Sequence, residues 1–271
     1  MDPKLQRRVQ RYGWDRAAEH YDRSWSAQLE PAQRLLLEMA ALGPGESVLD
    51  IACGTGLVTF RAAAAVGSAG VVVGTDISEA MVASCRRAAA ERGWTQARFE
   101  RMEAESLQLA DGSFDAVLCA LGLMYVTDFP GAIREMHRVT KPGGRAVAAV
   151  WGRRDRCGWA EIFPIVDRRV NTEVCPMFFQ LGTGNVQHDF FEKAGFARVR
   201  TERIQTLLEY ESPESACLAA FAGGPVAMAY SRFDAATRDA AHAEYLESIA
   251  GFRRDGRYQI PGEFVVTRGE K

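Results

Sequence analysis

Two residue types capable of chemistry meet within a short stretch of this chain. Asp50 is a carboxylate at the end of an apolar run, and Gly54-Thr55-Gly56 follows four residues later. Val48 to Ile51 have the composition of a short buried parallel strand, and Leu57 to Val66 read as an alanine-rich helix. A strand, a glycine turn and a helix together bring a ligand against bare backbone at a helix N-terminus, where a Cβ would hold it away. The acid restricts the ligand. A pyrophosphate would be repelled by a carboxylate so close in a crevice of low dielectric, and Thr59 stands where a dinucleotide fingerprint requires its third glycine. An ammonium or sulfonium group suits the site better.

Further signals follow in order. Val71 to Thr75 form a second apolar strand ending at Asp76, twenty residues after Gly56. A doubly wound sheet places a ribose-binding carboxylate at that distance. Ser78 is a suitable N-cap for a helix over Glu79 to Arg92. Phe99 to Met102 read as a third strand, with Glu103-Ala104-Glu105 at its end. Leu107 to Asp115 lead into a fourth strand, Ala116 to Ala120, and Arg138 to Arg145, containing Lys141-Pro142-Gly143-Gly144, end a helix and enter a fifth, Ala146 to Trp151.

Val48-Leu49-Asp50-Ile51-Ala52-Cys53-Gly54-Thr55-Gly56 resembles the first motif of the class I S-adenosylmethionine-dependent methyltransferases, and the ordered set resembles their type 11, quinone-biosynthesis-like group. The resemblance covers roughly residues 45 to 151, with a weaker match at Glu192 to Phe196. It implies an α/β fold: a doubly wound, seven-stranded, mostly parallel Rossmann-like sheet with a helical cover, in which strands six and seven pair antiparallel. It implies S-adenosyl-L-methionine as cofactor, held by Asp50, Cys53, Gly54, Thr55, Gly56, Asp76, Ile77, Glu103, Ala104, Ala120 and Leu121. Glu103 departs from the Asp or Asn common at its position. The resemblance implies that Tyr21, in the segment His20 to Trp25, faces the sulfonium, where an aromatic ring can meet a cation, or equally that Tyr21 and Trp25 pack the lid on the core. The N-terminal pattern of the quinone enzymes themselves is missing.

The elements around these positions divide the chain into a helical lead-in lid over residues 1–44 and a methyltransferase domain over 45–271. Cover insertions are expected at about 153–187 and 212–255. Val186 to Ala194 read as a helix, Phe196 to Tyr210 as extended, Pro213 to Phe252 as largely helical, and Arg257 to Thr267 as the last strand. Trp159, Phe163, Met177, Phe178, Phe179, Phe190, Phe191, Phe221 and Met228 in the cover suggest an apolar substrate pocket or, equally, the cover's own core. No histidine is assigned a role. His137 is expected to face solvent, and His188 lies where it could approach a substrate.

Composition narrows the function class. The 271 residues hold 33 Lys+Arg against 35 Asp+Glu, a net charge of −2, which opposes a dedicated nucleic-acid binder. No apolar run reaches membrane-span length and the N-terminus is charged, so a cytoplasmic protein with a small-molecule acceptor is expected. Six scattered cysteines without a C-x-x-C pair suggest reduced thiols and no metal. Arsenic methylation through Cys157 and Cys175 lacks a matching pattern. The resulting reading is methyl transfer to a small apolar or aromatic molecule, on O or N, by in-line displacement, with no catalytic base identified. A non-catalytic S-adenosylmethionine-binding protein is the alternative, and an NAD-dependent oxidoreductase the more distant one. Oligomeric state stays open.

Overall fold

A computed structural model of the chain describes residues 3–170, 175 and 177–271. Its centre is one sheet. Strands β1 (Ser47–Ile51), β2 (Val71–Asp76), β3 (Ala97–Arg101), β4 (Phe114–Ala120) and β5 (Thr140–Trp151) run parallel, and β6 (Ala197–Tyr210) and β8 (Arg257–Glu270) join antiparallel. The order is β3-β2-β1-β4-β5-β8-β6, with the two-residue β7 (Arg253–Arg254) paired to β8 through an Asp255-Gly256 turn. Both turn residues have positive φ, as the tightest hairpins require. This is the doubly wound, mostly parallel sheet expected, with an additional short ribbon.

Val48 to Ile51 are fully buried, as the continuous apolar run of a strand covered on both faces demands. The outer strand β6 instead carries Arg, Glu and Thr along an exposed edge, which opposes pairing with another chain. Helix α2 (Thr59–Val66) starts two residues later than its composition suggests, because Gly56 to Val58 remain in the turn. Helix α3 (Glu79–Arg92) has the predicted bounds: Ser78 Oγ accepts from the Met81 amide, and Gly93 closes the far end in the left-handed conformation. Helix α4 (Phe129–Val139) ends before Lys141-Pro142-Gly143-Gly144, and those residues enter β5, where its register against β4 shifts.

The N-terminal segment is a single helix, α1 (Pro3–Ala40), about 57 Å long at 1.5 Å per residue. Pro31 lies within it. The buried series Leu29, Ala32, Leu36, Met39 and Ala40 gives it one apolar stripe. Its C-terminal carbonyls are bound by basic side chains from the sheet: Arg268 donates to Met39 and Arg145 to Ala40 and Ala41.

The remaining helices are α5 (Ile162–Val170), α6 (Val186–Lys193), α7 (Pro213–Cys217), α8 (Ala227–Tyr230) and α9 (Ala235–Ser248). Most fall in the intervals 153–187 and 212–255, of which positions 171–174 and 176 lie outside the described residues. The cover's phenylalanines mainly pack on one another. Phe163, Phe178 and Phe179 surround Trp159, Phe190 meets Phe129, Phe191 stacks on Phe196, and Phe221 packs against Tyr245. Among the described residues no helix is long and apolar enough to cross a membrane, and no group of three or more His, Cys, Asp or Glu is placed to hold a metal.

Candidate functional site

The carboxyl ends of β1, β2 and β4 open onto a cavity of about 80 Å³, the crevice position that a parallel sheet with helices on both faces creates. Gly54, Asp76, Ile77, Ala104, Ala120, Leu121 and Tyr21 line it. Two non-glycine residues in its wall, Ala52 and Leu121, have φ of 56° and 62°. Such backbone is strained and persists only where packing imposes it. At the adjoining Gly122 a Cβ would lie 2.4 Å from that of Ala52, so glycine alone lets the two strand ends meet.

The turn after β1 is held from below. Asp76 receives the Gly54 amide at Oδ2 and the Ser78 amide at Oδ1, each at 2.9 Å, and so ties the turn to the start of α3. Burial pushes the Asp76 carboxyl up to about 6, against the two amides that favour its charged form. Asp50 sits deeper, 1 % exposed. Burial and the Asp76 charge raise it to about 7, and the hydroxyl of Thr59 opposes this by donating to Oδ2 at 2.6 Å. Its Oδ1 has no hydrogen-bond partner among the described residues. Thr59, which the sequence marks only as a missing glycine, is the residue that anchors this acid.

Helix α1 closes the cavity from above. Arg7 pairs with Glu105 at 3.2 Å, Asp15 accepts from Ser78 Oγ at 2.6 Å, and Asp22 accepts from Thr55 Oγ1. The Tyr21 ring lies over Gly54, with Cε1 3.9 Å from the place a Cβ would occupy. Trp14 meets Tyr21 and Tyr125 edge-on at centroid distances of 5.8 and 4.9 Å. Burial drives both tyrosine hydroxyls well above the ordinary phenol value.

The family described as a methyltransferase domain matches residues 48–144. These residues include Asp50, the glycine turn and Asp76. Residues 48–144 carry a class I S-adenosylmethionine-dependent methyltransferase domain. A nocamycin O-methyltransferase of Saccharothrix syringae is 36% identical over 132 residues, covering 49% of this chain and 47% of the relative. The ubiquinone/menaquinone biosynthesis C-methyltransferase UbiE of Ectopseudomonas mendocina is 41% identical over 114 residues, 42% of this chain and 44% of its own. The match to UbiE agrees with the quinone-type resemblance of the motifs. The chain thus spans about half the length of these relatives. In three dimensions the YcgJ protein of Bacillus subtilis superposes with a TM-score of 0.63 at 17% identity, covering 89% of this chain and 99% of that one, which shows a shared fold.

Within this methyltransferase domain the expected site residues do not all reach the cavity. Asp50, Cys53, Thr55 and Gly56 shape the turn from behind without lining it. A Cβ on Gly56, whose φ is 88°, would fall 2.7 Å from the Phe60 ring and 3.2 Å from Cys85 Sγ. The Cys53 thiol is held protonated by its contact with Cys85 and by burial. Glu103 is absent from the cavity wall; its half-exposed side chain approaches Arg7 at 3.8 Å, and Glu105 takes the lining position.

Other wall residues come from parts of the chain without a motif. Arg7, Gln10 and Trp14 arrive on α1, and Met81, Met102 and Tyr125 from elements beside the strand ends. Only the apolar-polar periodicity of α1 could have signalled its three. No histidine lines the cavity among the described residues. His137, expected at the surface, is half-buried with its ring 4.9 Å from that of Phe196. Burial lowers its pKa. His188 lies beside Thr201 and Glu192, away from the site.

Proposed function

We propose that the chain transfers a methyl group from S-adenosyl-L-methionine to a small, apolar or aromatic molecule, on oxygen or nitrogen. The observation carrying this reading is the set of three features around one cavity: a glycine turn, an acid at the end of β2 and an aromatic cover. They fit the cofactor chemically. The bare backbone at Gly54 admits close approach, and Asp76 retains acceptor lone pairs for ribose hydroxyls. The unpartnered Oδ1 of Asp50 supplies negative potential behind the turn. Ala104, Met81 and Met102 give an apolar surface for a flat base. The Tyr21 ring lies over the turn and Trp14 meets it edge-on, an aromatic surface suited to a sulfonium.

When bound, the cofactor supplies an electrophilic methyl carbon whose bonding pair leaves with sulfur as the acceptor's lone pair forms the new bond. The protein's part is positional: α1 covers the crevice, excludes water and holds the reacting atoms in line. Among the described residues no histidine stands at the cavity and its tyrosines are held protonated, so an ionisable acceptor gives its proton to solvent or reacts already ionised. A helical lid over residues 1–44 and a cover built from 153–187 and 212–255 belong to the same reading. Calorimetric titration should show micromolar binding of both S-adenosylmethionine and S-adenosylhomocysteine, followed by methyl transfer to a phenol or amine acceptor. A folded protein that binds neither would overturn the reading. Binding of both with no transfer across a broad acceptor panel would favour the non-catalytic alternative.

A pH dependence follows from the two acids. Their folded values, about 6 and about 7, lie above the ordinary carboxylate value, so the native chain holds extra protons between about pH 4 and pH 7. Their contribution to folding stability therefore falls as pH rises across that window. A cationic ligand favours the ionised acids, so its binding should release protons there and tighten by up to roughly tenfold per pH unit per proton released. Titrations at pH 6 in buffers of different ionisation enthalpy would measure this. Identical heats in every buffer would refute it.

A further inference from the structure

At about 80 Å³ the cavity is several times smaller than small-molecule sites, which run to roughly 300–1,000 Å³. A ligand the size of S-adenosylmethionine enters only when part of the wall moves. The N-terminal end of α1 is a weakly held part of that wall. Along residues 4–12 only Gln10 is buried, while Leu5 and Tyr12 stand 50% and 42% exposed. The first turn holds no acid, and Lys4, Arg7 and Arg8 put positive charge where the helix dipole opposes it. Arg7 and Gln10 nevertheless belong to the cavity wall. Arg7 is tied to Glu105 at 3.2 Å, and Gln10 Nε2 donates to Cys175 Sγ at 3.5 Å.

Two polar atoms count against the closed arrangement. Arg11 Nε on this stretch and Thr127 Oγ1 in the cavity wall are buried without hydrogen-bond partners among the described residues. A polar group buried unpaired destabilises the arrangement that buries it.

Beyond Gly13 the same helix is held firmly. Asp15 accepts from the Ser78 hydroxyl at 2.6 Å and from the Ala80 amide at 3.2 Å, Asp22 accepts from Thr55, and Ala17, Trp25 and Leu29 are buried. Gly13 lies at the junction of the two regimes. Glycine weakens a helix interior because it has more backbone freedom to lose. Packing does not require it here, since a Cβ would lie 3.6 Å from that of Met228, an ordinary contact.

We propose that residues 3–12 are a flap hinged at Gly13, closed over the crevice in this structure, which opens to admit and release the cofactor. This rests on the methyl-transfer reading, which supplies the ligand. Opening breaks the Arg7–Glu105 pair, parts Gln10 from Cys175 and gives Arg11 and Thr127 access to water. Asp15 and Asp22 keep the rest of α1, with Trp14 and Tyr21, in place, so the end of the site at the glycine turn stays formed while the flap moves. Closed again over the bound cofactor, the flap excludes water.

A hinge substitution that disfavours only the open form changes both rate constants and leaves their ratio alone. The full chain is mixed with S-adenosylhomocysteine in stopped flow and followed by tryptophan fluorescence. Gly13→Ala should slow association and dissociation together, each roughly two- to fivefold, the helix preference of alanine over glycine. Its Kd should stay within about twofold of the unmodified chain's, because the closed forms with and without ligand gain equally. Arg7→Gln, which weakens the closed form, should accelerate both steps. In hydrogen exchange on the unmodified chain, amides of residues 8–12 should exchange about tenfold faster than those of 24–30, and should slow on saturation with S-adenosylhomocysteine. Unchanged rates in Gly13→Ala, a change confined to one rate constant, or equal protection of the two stretches would overturn the flap. Should S-adenosylhomocysteine fail to bind the folded chain, it is the underlying methyl-transfer reading that falls.

Discussion

Asp76→Ala is expected to weaken S-adenosylmethionine binding by about 1–3 kcal/mol, roughly one to two orders of magnitude, the range for losing charged hydrogen-bond partners. Two losses combine. The carboxylate that would accept ribose hydroxyls is gone, and the amides of Gly54 and Ser78 lose the oxygen atoms that fix them 2.9 Å away. The glycine turn and the start of α3 are then no longer tied together. Burial and the nearby Asp15 carboxylate oppose the charge of this acid, so its removal should affect binding more than folding. Asp76→Asn, which keeps one acceptor oxygen but turns its amide NH2, a donor, toward one of the two backbone donors, should give an intermediate loss. Calorimetry on variants with native circular dichroism measures both. Unchanged affinity in a folded Asp76→Ala would refute the ribose role.

The largest effect on stability is expected at Arg145, far from the cavity. This residue is 9 % exposed and makes a two-pronged ion pair with Glu46 at 2.7 Å on each side. It also donates to the carbonyls of Ala40, Ala41 and Asp115. Arg145 thus joins the end of α1 to β5 and to the loop before β1. Arg145→Ala should cost about 3–5 kcal/mol, since it leaves a carboxylate and helix-terminal carbonyls uncompensated. The pair holds Glu46 below the ordinary carboxylate value, so its contribution is present above that value and is lost as pH falls through the lowered one. Arg145→Met combined with Glu46→Met should recover part of the loss, because no unpaired charge remains. Urea denaturation measures all three chains. A loss below about 1 kcal/mol in the single variant would show that water replaces the guanidinium without cost.

Arg145 also illustrates what a sequence conceals. Its place after Pro142-Gly143-Gly144 marks the entry to a strand, yet nothing local tells that its side chain reaches back 105 positions to Ala40. The same holds for Asp15, which takes the Ser78 hydroxyl 63 positions away, and for Arg7, whose partner Glu105 is 98 positions on. The amphipathic stripe of α1 shows which face is buried and leaves open what buries it. The cover's phenylalanines have the composition of a pocket wall and pack on one another, because apolar side chains serve both purposes equally well. Glu103 and Glu105 both approach Arg7, at 3.8 and 3.2 Å, and only the folded path of the chain after β3 shows that Glu105 lines the cavity.

The sequence by itself determined the βαβ succession, the glycine turn with its acid, the Ser78 cap and the carboxylate at Asp76. Each of these depends on interactions within a few residues or on the requirement that a parallel strand be apolar throughout. Only the tertiary structure decided that one unbroken helix closes the crevice, that Thr59 holds Asp50, and that three tryptophans from α1, β5 and the cover pack together. Those arrangements join groups far apart in the chain, whose meeting depends on how whole elements pack and leaves no periodic trace in the residues themselves.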